Sequence, residues 1–238
     1  MPSYDVYARF YDATQGDRDE HAAYVRSLIE RHNPGAHTVL ELACGTGSVL
    51  ERLRPRYEVT GVDLSQQMLD IAARRLPGVP LHRADMTAVD LGETFDVVLC
   101  IYDSINHLTA FGLWEAVFDR ARAHLEEGGV FIFDVNTERK LARFAGQPAW
   151  PHWFADGNLC LIDVRDEGAG LFVWNLRVFE HLGASRYVLH EEDIREAAFP
   201  VDRITASLRT RYRRVRVVDA ERSRPTTRSE RLHFVCHG

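Results

Sequence analysis

Apolar residues recur along residues 17–136 in two alternating patterns. Short apolar runs predict strands, and longer segments with apolar residues three and four apart predict helices between them. The predicted strands are residues 38–43, 57–63, 79–84, 95–101 and 130–135. The predicted helices are residues 19–31, 46–54, 65–76 and 112–125. Strands that alternate with helices at this spacing predict a parallel sheet covered by helices on both faces.

The pattern changes after about residue 147, where strand-like segments follow one another without long helices between them. These segments are residues 159–164, 171–179 and 186–190. They predict an antiparallel insertion, which is followed by a helix at 201–208 and two strands at 213–219 and 231–236. We therefore predict an α/β fold: a Rossmann-like, doubly wound mixed sheet of about seven strands, with an antiparallel β insertion after the fifth strand.

Length, charge and cysteine content disfavour several classes of protein but do not indicate a specific function. The 238 residues suit one domain, or one domain with a small subdomain, and the net charge of -6 argues mildly against nucleic-acid binding. The N-terminus lacks a signal-peptide pattern, and no apolar stretch approaches the ~20 residues that span a bilayer. The four cysteines lack metal-ligand spacing and are expected to be free thiols. We expect a cytoplasmic protein with no nucleic-acid, membrane or metal partner.

A glycine-containing turn follows the first predicted strand, at the edge where open α/β sheets bind ligands. Gly45 and Gly47 allow positive φ and a close approach of the backbone to a ligand. Leu50 stands where a dinucleotide site has its third glycine. Glu41 precedes the turn, and a carboxylate there suits a ligand with an ammonium group better than a diphosphate.

Two aspartates at the ends of the next strands indicate an adenosine ligand. Asp63 lies about 20 residues beyond the turn, where a carboxylate can accept both hydroxyls of a ribose. Asp85 follows the third strand and could accept from the exocyclic amine of adenine. Either residue alone could be an ordinary turn or helix-cap residue. Their order on successive strand ends favours a cofactor site.

Five segments make the sequence resemble the class I S-adenosylmethionine (SAM) dependent methyltransferases, in particular the small free-standing bacterial ones. The segments are residues 39–47, 59–69, 84–86, 95–98 and 125–134. Residues 7–12 are also similar to the N-terminal segment that closes over SAM in this family. The resemblance implies SAM as methyl donor and S-adenosylhomocysteine as product.

The resemblance also implies roles for individual residues. Gly45 and Gly47 would pass beneath the amino-acid part of SAM, and Asp63 would hold the ribose. With Glu41, the predicted cofactor-binding set is Tyr11, Glu41, Ala43, Gly45, Gly47, Asp63, Leu64, Met68, Asp85, Met86 and Cys100. The predicted division is a SAM-binding core with an N-terminal lid over residues 1–146, a β insertion covering the acceptor site over 147–198, and a C-terminal helix with the last two strands of the core sheet over 199–238.

The methyl acceptor is expected beside the end of the fourth strand. A hydroxyl acceptor benefits from a general base, whereas an amine must be neutral to attack. His107 is the predicted base, and Asp103 is predicted to orient an ammonium group, although both could simply support the loop. Tyr102, Asn106 and Trp174 are predicted to contact the acceptor.

We therefore expect methyl transfer from SAM to the N or O of a small-molecule acceptor, and we allow for a homodimer. A non-catalytic SAM-binding sensor or assembly protein is the main alternative. An NAD-dependent oxidoreductase is disfavoured by Leu50 and by a single lysine, Lys140. A nucleic-acid methyltransferase of the DNA type is disfavoured because no Asn/Asp-Pro-Pro-Tyr/Phe segment follows the fourth strand.

Overall fold

A computed structural model describes residues 7–15, 19–222 and 224–238. The helices within these ranges are α1 (Ala8–Gln15), α2 (Asp19–His32), α3 (Ser48–Leu53), α4 (Gln66–Arg75), α5 (Phe111–Ala123), α6 (Glu138–Ala145) and α7 (Val201–Arg209). The strands are β1 (Thr38–Leu42), β2 (Glu58–Asp63), β3 (Leu81–Arg83), β4 (Phe95–Cys100), β5 (Leu125–Asn136), β6 (Trp150–Phe154), β7 (Asn158–Gly168), β8 (Leu171–His181), β9 (Tyr187–Ala197), β10 (Arg214–Val218) and β11 (Arg231–His237). Among the described helices, none is long and apolar enough to span a membrane.

The larger sheet has seven strands in the order β10-β11-β5-β4-β1-β2-β3. Strands β1 to β5 pair in parallel, and β11 pairs antiparallel with both of its neighbours. The predicted mixed seven-stranded sheet is thus confirmed. Because the chain leaves β1 toward β2 and later returns to β4 on its other side, a crevice opens at the carboxyl ends of these strands.

Alternating residues of the central strands fill the two cores that cover this sheet. Leu40 of β1 belongs to the core that includes Trp114 and Phe118 of α5, whereas its neighbour Val39 belongs to the core that includes Leu28 of α2. All five side chains are almost completely buried. Burial of such a side chain contributes about 1.5–3 kcal/mol relative to exposure. The packing therefore holds the strand ends in place.

The smaller sheet has four antiparallel strands in the order β6-β7-β8-β9. Apolar side chains of β8 connect it to two short helices. Leu176 and Val178 pack in one cluster with Phe10 of α1, and Phe172 packs with Leu141 of α6. The antiparallel insertion predicted after the fifth strand is confirmed as part of the fold, while its separate status as a domain stays a prediction.

Several elements of the structure differ from the sequence-based ones, among them α6, which was not predicted, and strands β5 and β6. Strand β5 begins at Leu125 instead of residue 130, because the backbone at Gly128 and Gly129 continues the strand through an irregular pairing with β4. A Cβ at Gly129 would lie 3.1 Å from the carbonyl oxygen of Asp96, so glycine allows the two strands to approach. Strand β6 was not predicted, and its Pro151 is tolerated because β6 is an edge strand.

Candidate functional site

A cavity lies between the carboxyl edge of the larger sheet and the smaller sheet. Its first side is formed by eight of the eleven predicted cofactor residues: Tyr11, Ala43, Gly45, Asp63, Leu64, Met68, Asp85 and Met86. Its second side is formed mainly by Tyr102, Asp103, His107, Asn136, Lys140, Phe144, Ile162, Trp174, Leu176, Ile194, Glu196 and Arg231. One continuous space therefore joins predicted cofactor residues to four residues predicted for the acceptor side, Tyr102, Asp103, His107 and Trp174.

The turn after β1 has a left-handed backbone at three positions. Ala43, Gly45 and Gly47 have φ values of 56°, 55° and 76°. Among the described residues, a Cβ at Gly45 would meet nothing closer than the ring of Tyr11, at 4.0 Å, so Gly45 leaves room for a ligand beside the backbone. A Cβ at Gly47 would instead lie 2.6 Å from the Cδ1 atom of Leu76. The structure thus gives Gly47 a packing role against the end of α4.

Asp63 holds this turn and also faces the cavity. Its two carboxylate oxygens accept hydrogen bonds from the backbone N–H groups of Gly45, at 2.8 Å, and Ser65, at 2.9 Å. Burial raises the pKa of Asp63. Because each carboxylate oxygen has more than one acceptor position, these bonds still allow contacts with ribose hydroxyls. Asp85 is similarly oriented by Thr87, whose backbone N–H and hydroxyl both donate to one carboxylate oxygen.

Helix α1 contributes Tyr11 to the cavity lining and is tied to the turn after β1, to α4 and to β8. Asp12 accepts a hydrogen bond from the Thr46 hydroxyl at 2.7 Å and pairs with Arg75 at 2.6 Å. Arg9 pairs with Glu180 of β8 at 2.7 Å. These contacts place Tyr11 over the glycine turn, as expected for a segment that covers a cofactor.

Shortly after β4 ends at Cys100, two consecutive residues, Tyr102 and Asp103, have left-handed backbone, with φ values of 59° and 52°. This unusual backbone turns both side chains toward the second side of the cavity, where they are among the lining residues. Arg231 pairs with both Asp103 and Asp134. The guanidinium group of Arg231 therefore holds the Asp103 carboxylate in place without an acceptor.

Asn136 connects the remaining charged groups on the second side. Its amide donates to Glu196 at 3.1 Å, and its oxygen accepts from Lys140 at 2.7 Å and from Arg231 at 3.2 Å. Burial, and then the nearby Asp103 carboxylate, raise the pKa of Glu196 to about 8. Burial, and then Arg231, lower the pKa of Lys140. A pKa of about 8 leaves Glu196 mostly protonated at pH 7, with an ionised fraction that can accept a proton.

His107 lies beside these carboxylates. One ligand atom of each of His107, Asp103 and Glu196 lies within 4.8 Å of the others. The Nδ1 atom of His107 is 3.4 Å from the carbonyl oxygen of Arg195. Burial lowers the pKa of His107, so its ring is neutral at pH 7 and has the form that a general base requires.

Comparison with known proteins agrees with this geometry. Residues 39–129 match a family described as a methyltransferase domain. The chain is 37% identical to a dTDP-4-amino-2,3,4,6-tetradeoxy-D-glucose N,N-dimethyltransferase of Saccharopolyspora spinosa, over 55% of this chain and 53% of that protein. It is 35% identical to a dTDP-3-amino-3,4,6-trideoxy-alpha-D-glucopyranose N,N-dimethyltransferase of Streptomyces venezuelae, over 69% and 65%. The chain thus spans between about half and two thirds of the length of these curated relatives.

Solved structures extend the similarity to nearly the whole chain. A SAM-dependent methyltransferase from Clostridium acetobutylicum shares 25% identity with a TM-score of 0.85, and 98% of each chain is covered. A SAM-bound amino pentose methyltransferase from Micromonospora echinaspora shares 26% identity with a TM-score of 0.79, over 98% of this chain and 96% of that one. Residues 39–129 thus match a methyltransferase domain, and these solved structures, which cover nearly the whole chain, are SAM-dependent methyltransferases. The predicted cofactor, SAM, is confirmed for the family, and the NAD-dependent alternative is discarded.

Four predicted site residues lie outside the cavity lining. Glu41 and Cys100 are buried at the ends of β1 and β4, and Gly47 packs against Leu76. Asn106 was predicted to contact the acceptor, and the structure corrects this. Its amide donates to the carbonyl oxygens of Asn136 and Ala197, and its oxygen accepts from the Asn136 N–H, so Asn106 supports the wall from behind.

The sequence did not indicate Asn136, Lys140, Glu196 or Arg231 as parts of the candidate site. They lie on β5, α6, β9 and β11, so no local motif brings them together. Only the position of Asn136 at the end of a predicted strand was a usable signal. Tyr102, Asp103, His107 and Trp174 do line the second side as expected, while their roles stay predictions.

Proposed function

We propose that this methyltransferase moves a methyl group from SAM to the nitrogen or oxygen of a small polar acceptor, with an amine as the favoured class. The supporting observation is one continuous cavity in which the predicted SAM residues lie opposite groups that can accept a proton. Glu196 and His107 are two such groups on the second side of the cavity. Several relatives named as amino-sugar N,N-dimethyltransferases favour the same acceptor class.

The residues present fit SAM. Gly45 leaves space beside the backbone, Asp63 presents a carboxylate, and Leu64, Met68 and Met86 offer apolar surface for an adenosine. Bound SAM would supply an electrophilic methyl group on a good leaving group. The protein must therefore mainly orient the acceptor and bring it close.

Proton removal is the second task assigned to the chain. A protonated amine cannot attack, so a neighbouring group must accept its proton. The neutral ring of His107 and the ionised form of Glu196 can both do so. Arg231 and Asn136 hold the surrounding carboxylates in place, and Tyr11 covers the donor side against water.

Two measurements test the proposed function. Calorimetry with SAM should show binding by the wild type, and Asp63→Ala should weaken it strongly, whereas Asp70→Ala, an exposed carboxylate on α4, should not. Release of S-adenosylhomocysteine should then be screened with amine, sugar and phenolic acceptors, dTDP-amino sugars included. SAM binding without release for any acceptor would favour the non-catalytic alternative, and no SAM binding would contradict the assignment.

Several finer expectations remain part of this proposal. They are the homodimer, the cytoplasmic location, the lack of nucleic-acid and membrane partners, and the division at residues 146 and 198. The placement of residues 147–198 along the second side of the cavity supports a role in covering the acceptor, through Ile162, Trp174 and Glu196.

A further inference from the structure

A second group of ionisable side chains lies behind the cavity wall, where α2 meets β5 and β11. The group consists of His21, Asp134 and His233, and one ligand atom of each lies within 4.8 Å of the others. Asp134 and His233 are paired across neighbouring antiparallel strands, so their side chains point to the same face of the sheet. None of the three lines the cavity.

Four side-chain polar atoms of this group are buried and lack hydrogen bonds within the described part of the chain. Asp134 is 0% exposed and His233 is 1% exposed. Within the described ranges, no hydrogen-bond partner is present for either ring nitrogen of His233, for Nε2 of His21 or for Oδ1 of Asp134. Buried polar atoms in folded proteins almost always have a partner. The group therefore indicates a ligand that accepts lone pairs from several of these nitrogen and oxygen atoms at once.

The donor set matches one kind of ligand. Burial disfavours a charged imidazolium, so both histidines offer a neutral nitrogen lone pair. Two such nitrogens and one carboxylate oxygen are a ligand set that proteins use for Zn²⁺. The other oxygen of Asp134 pairs with Arg231, whose charge is shared with Asp103. An outer contact of this kind orients a metal-binding carboxylate.

Neighbouring aromatic rings hold the two histidines in position. The ring of His21 lies 4.3 Å from that of Tyr102, and the ring of Tyr24 lies edge-on to His233 at 4.8 Å. The His21 and His233 rings themselves are 5.5 Å apart. Such packing limits ring rotation, so a metal ion would meet a largely prearranged site.

We propose that His21, Asp134 and His233 bind a divalent metal ion of the Zn²⁺ class, with water completing its coordination. The bound ion ties α2 to β5 and β11 and supports Tyr102 from behind. The site goes beyond the proposed methyl transfer, because it contains none of the predicted SAM or acceptor residues. Sequence spacing could not reveal it, since the three ligands lie on separate elements and no metal was expected.

The cluster of Asp103, His107 and Glu196 has a similar spacing, and it is the rival metal position. Its groups already have protein partners: Arg231 pairs with Asp103, and Asn136 donates to Glu196. A metal ion there would have to displace these contacts. For this reason the buried group behind the wall is the better site, and the experiment must separate the two.

The test uses the purified full chain after removal of metal with a chelator. Zn²⁺ alone is titrated by calorimetry, and one equivalent should bind. His21→Ala and His233→Ala should each weaken binding by about tenfold to a hundredfold or more, since even the loss of an outer contact costs that much. The exposed His82→Ala on β3 and the cavity variant His107→Ala should bind like the wild type. Circular dichroism checks that each variant is folded.

His21→Ala keeps the test decisive if His233→Ala does not fold, because His21 is only partly buried and alanine favours a helix. Co²⁺ gives a second readout: a visible absorption band of tetrahedral type should appear in the wild type and be absent in His21→Ala. The proposal is overturned if Zn²⁺ binds to His21→Ala as tightly as to the wild type, or if only His107→Ala loses Zn²⁺ binding. It is also overturned if the wild type does not bind Zn²⁺. SAM binding by the same samples is measured separately, so failure of one proposal is distinguishable from failure of the other.

Discussion

At the scale of single residues, Glu196 is the most informative group of the site. It is buried at 5% exposure, accepts from Asn136, and lies near the charged groups Asp103, Lys140 and Arg231 as well as His107. Burial raises its pKa to about 8, far above that of an unfolded glutamate at about 4.3. Folding therefore favours its protonated form.

The first prediction concerns the pH dependence of stability. Because the folded pKa is raised, the contribution of Glu196 is most favourable below about pH 4 and is lost as pH rises toward its folded pKa of about 8. Glu196→Gln cannot ionise and still accepts from Asn136. The free energy of unfolding of this variant, relative to the wild type, should thus increase between pH 5 and pH 9.

Urea unfolding at both pH values measures this difference. The exposed Glu167→Gln on β7 is the control and should show the same difference from the wild type at both pH values. A Glu196→Gln difference that does not change with pH would contradict the assignment of a buried, partly protonated carboxyl group.

The second prediction compares two glycines with similar backbone. Gly47 has φ 76° and Gly78 has φ 82°, so alanine should cost about 1 kcal/mol of strain at either position. A Cβ at Gly47 would also lie 2.6 Å from Leu76, whereas no residue that the structure describes lies within 4 Å of a Cβ at Gly78. Gly47→Ala should therefore destabilise the protein by about 1–3 kcal/mol more than Gly78→Ala.

Denaturant unfolding of both variants tests the packing role given to Gly47. Equal losses of stability would mean that the contact with Leu76 relaxes freely. The free energy of SAM binding, measured on the folded fraction of each variant, should change less than the free energy of unfolding. The reason is that Gly47 does not line the cavity.

At the scale of elements, the parts that follow a strong local pattern were predictable. The central strands and the turn at Gly45 combine continuous burial with glycine at positions of positive φ, and both signals are visible in a sequence. Helix α6 was missed because it is short and buries only Leu141, and β6 because it is a half-exposed edge strand. The charged residues of the acceptor side were not predicted for a different reason. Glu196 and Arg231 contact Asn136 only in the folded protein, because they lie far from it in the sequence.

The third prediction concerns how α1 is held over the cofactor side. The pair of Asp12 and Arg75 is partly buried, with side-chain exposures of 37% and 22%, and Asp12 also accepts from Thr46. Asp12→Ala should loosen α1 and weaken SAM binding by roughly threefold to tenfold, the effect of about 1 kcal/mol. Arg56→Ala breaks an exposed pair with Glu30 away from the cavity and is the matched control.

Calorimetric titration of SAM at low and high salt measures the effect. The difference in SAM affinity between Asp12→Ala and the wild type should be smaller at high salt, because salt screens the Asp12–Arg75 pair of the wild type. Identical SAM affinity in Asp12→Ala and the wild type would show that α1 does not contribute to covering the cofactor.

At the scale of the whole molecule, the cavity is formed by two sheets that the chain builds at different points along its length. The donor side belongs to β1, β2 and the segment after β3, while much of the acceptor side belongs to β7, β8 and β9. Helix α1 contacts both, through Arg75 on one side and Glu180 on the other. A ligand on the donor side should therefore stabilise the fold and restrain α1 before any acceptor binds.

The last prediction follows from this arrangement. S-adenosylhomocysteine at a hundred times its dissociation constant should add about 2.7 kcal/mol to the free energy of unfolding, by mass action. For a chain of this size that corresponds to a rise in Tm of roughly 5–11 °C. In hydrogen exchange, the turn at 43–47 and helix α1 should become more protected, whereas β9, on the acceptor side, should change little until an acceptor is added. Asp63→Ala should lose both the rise in Tm and the protection, and Asp70→Ala should keep them. Protection that appeared first in β9 would place the cofactor on the opposite side of the cavity from Asp63.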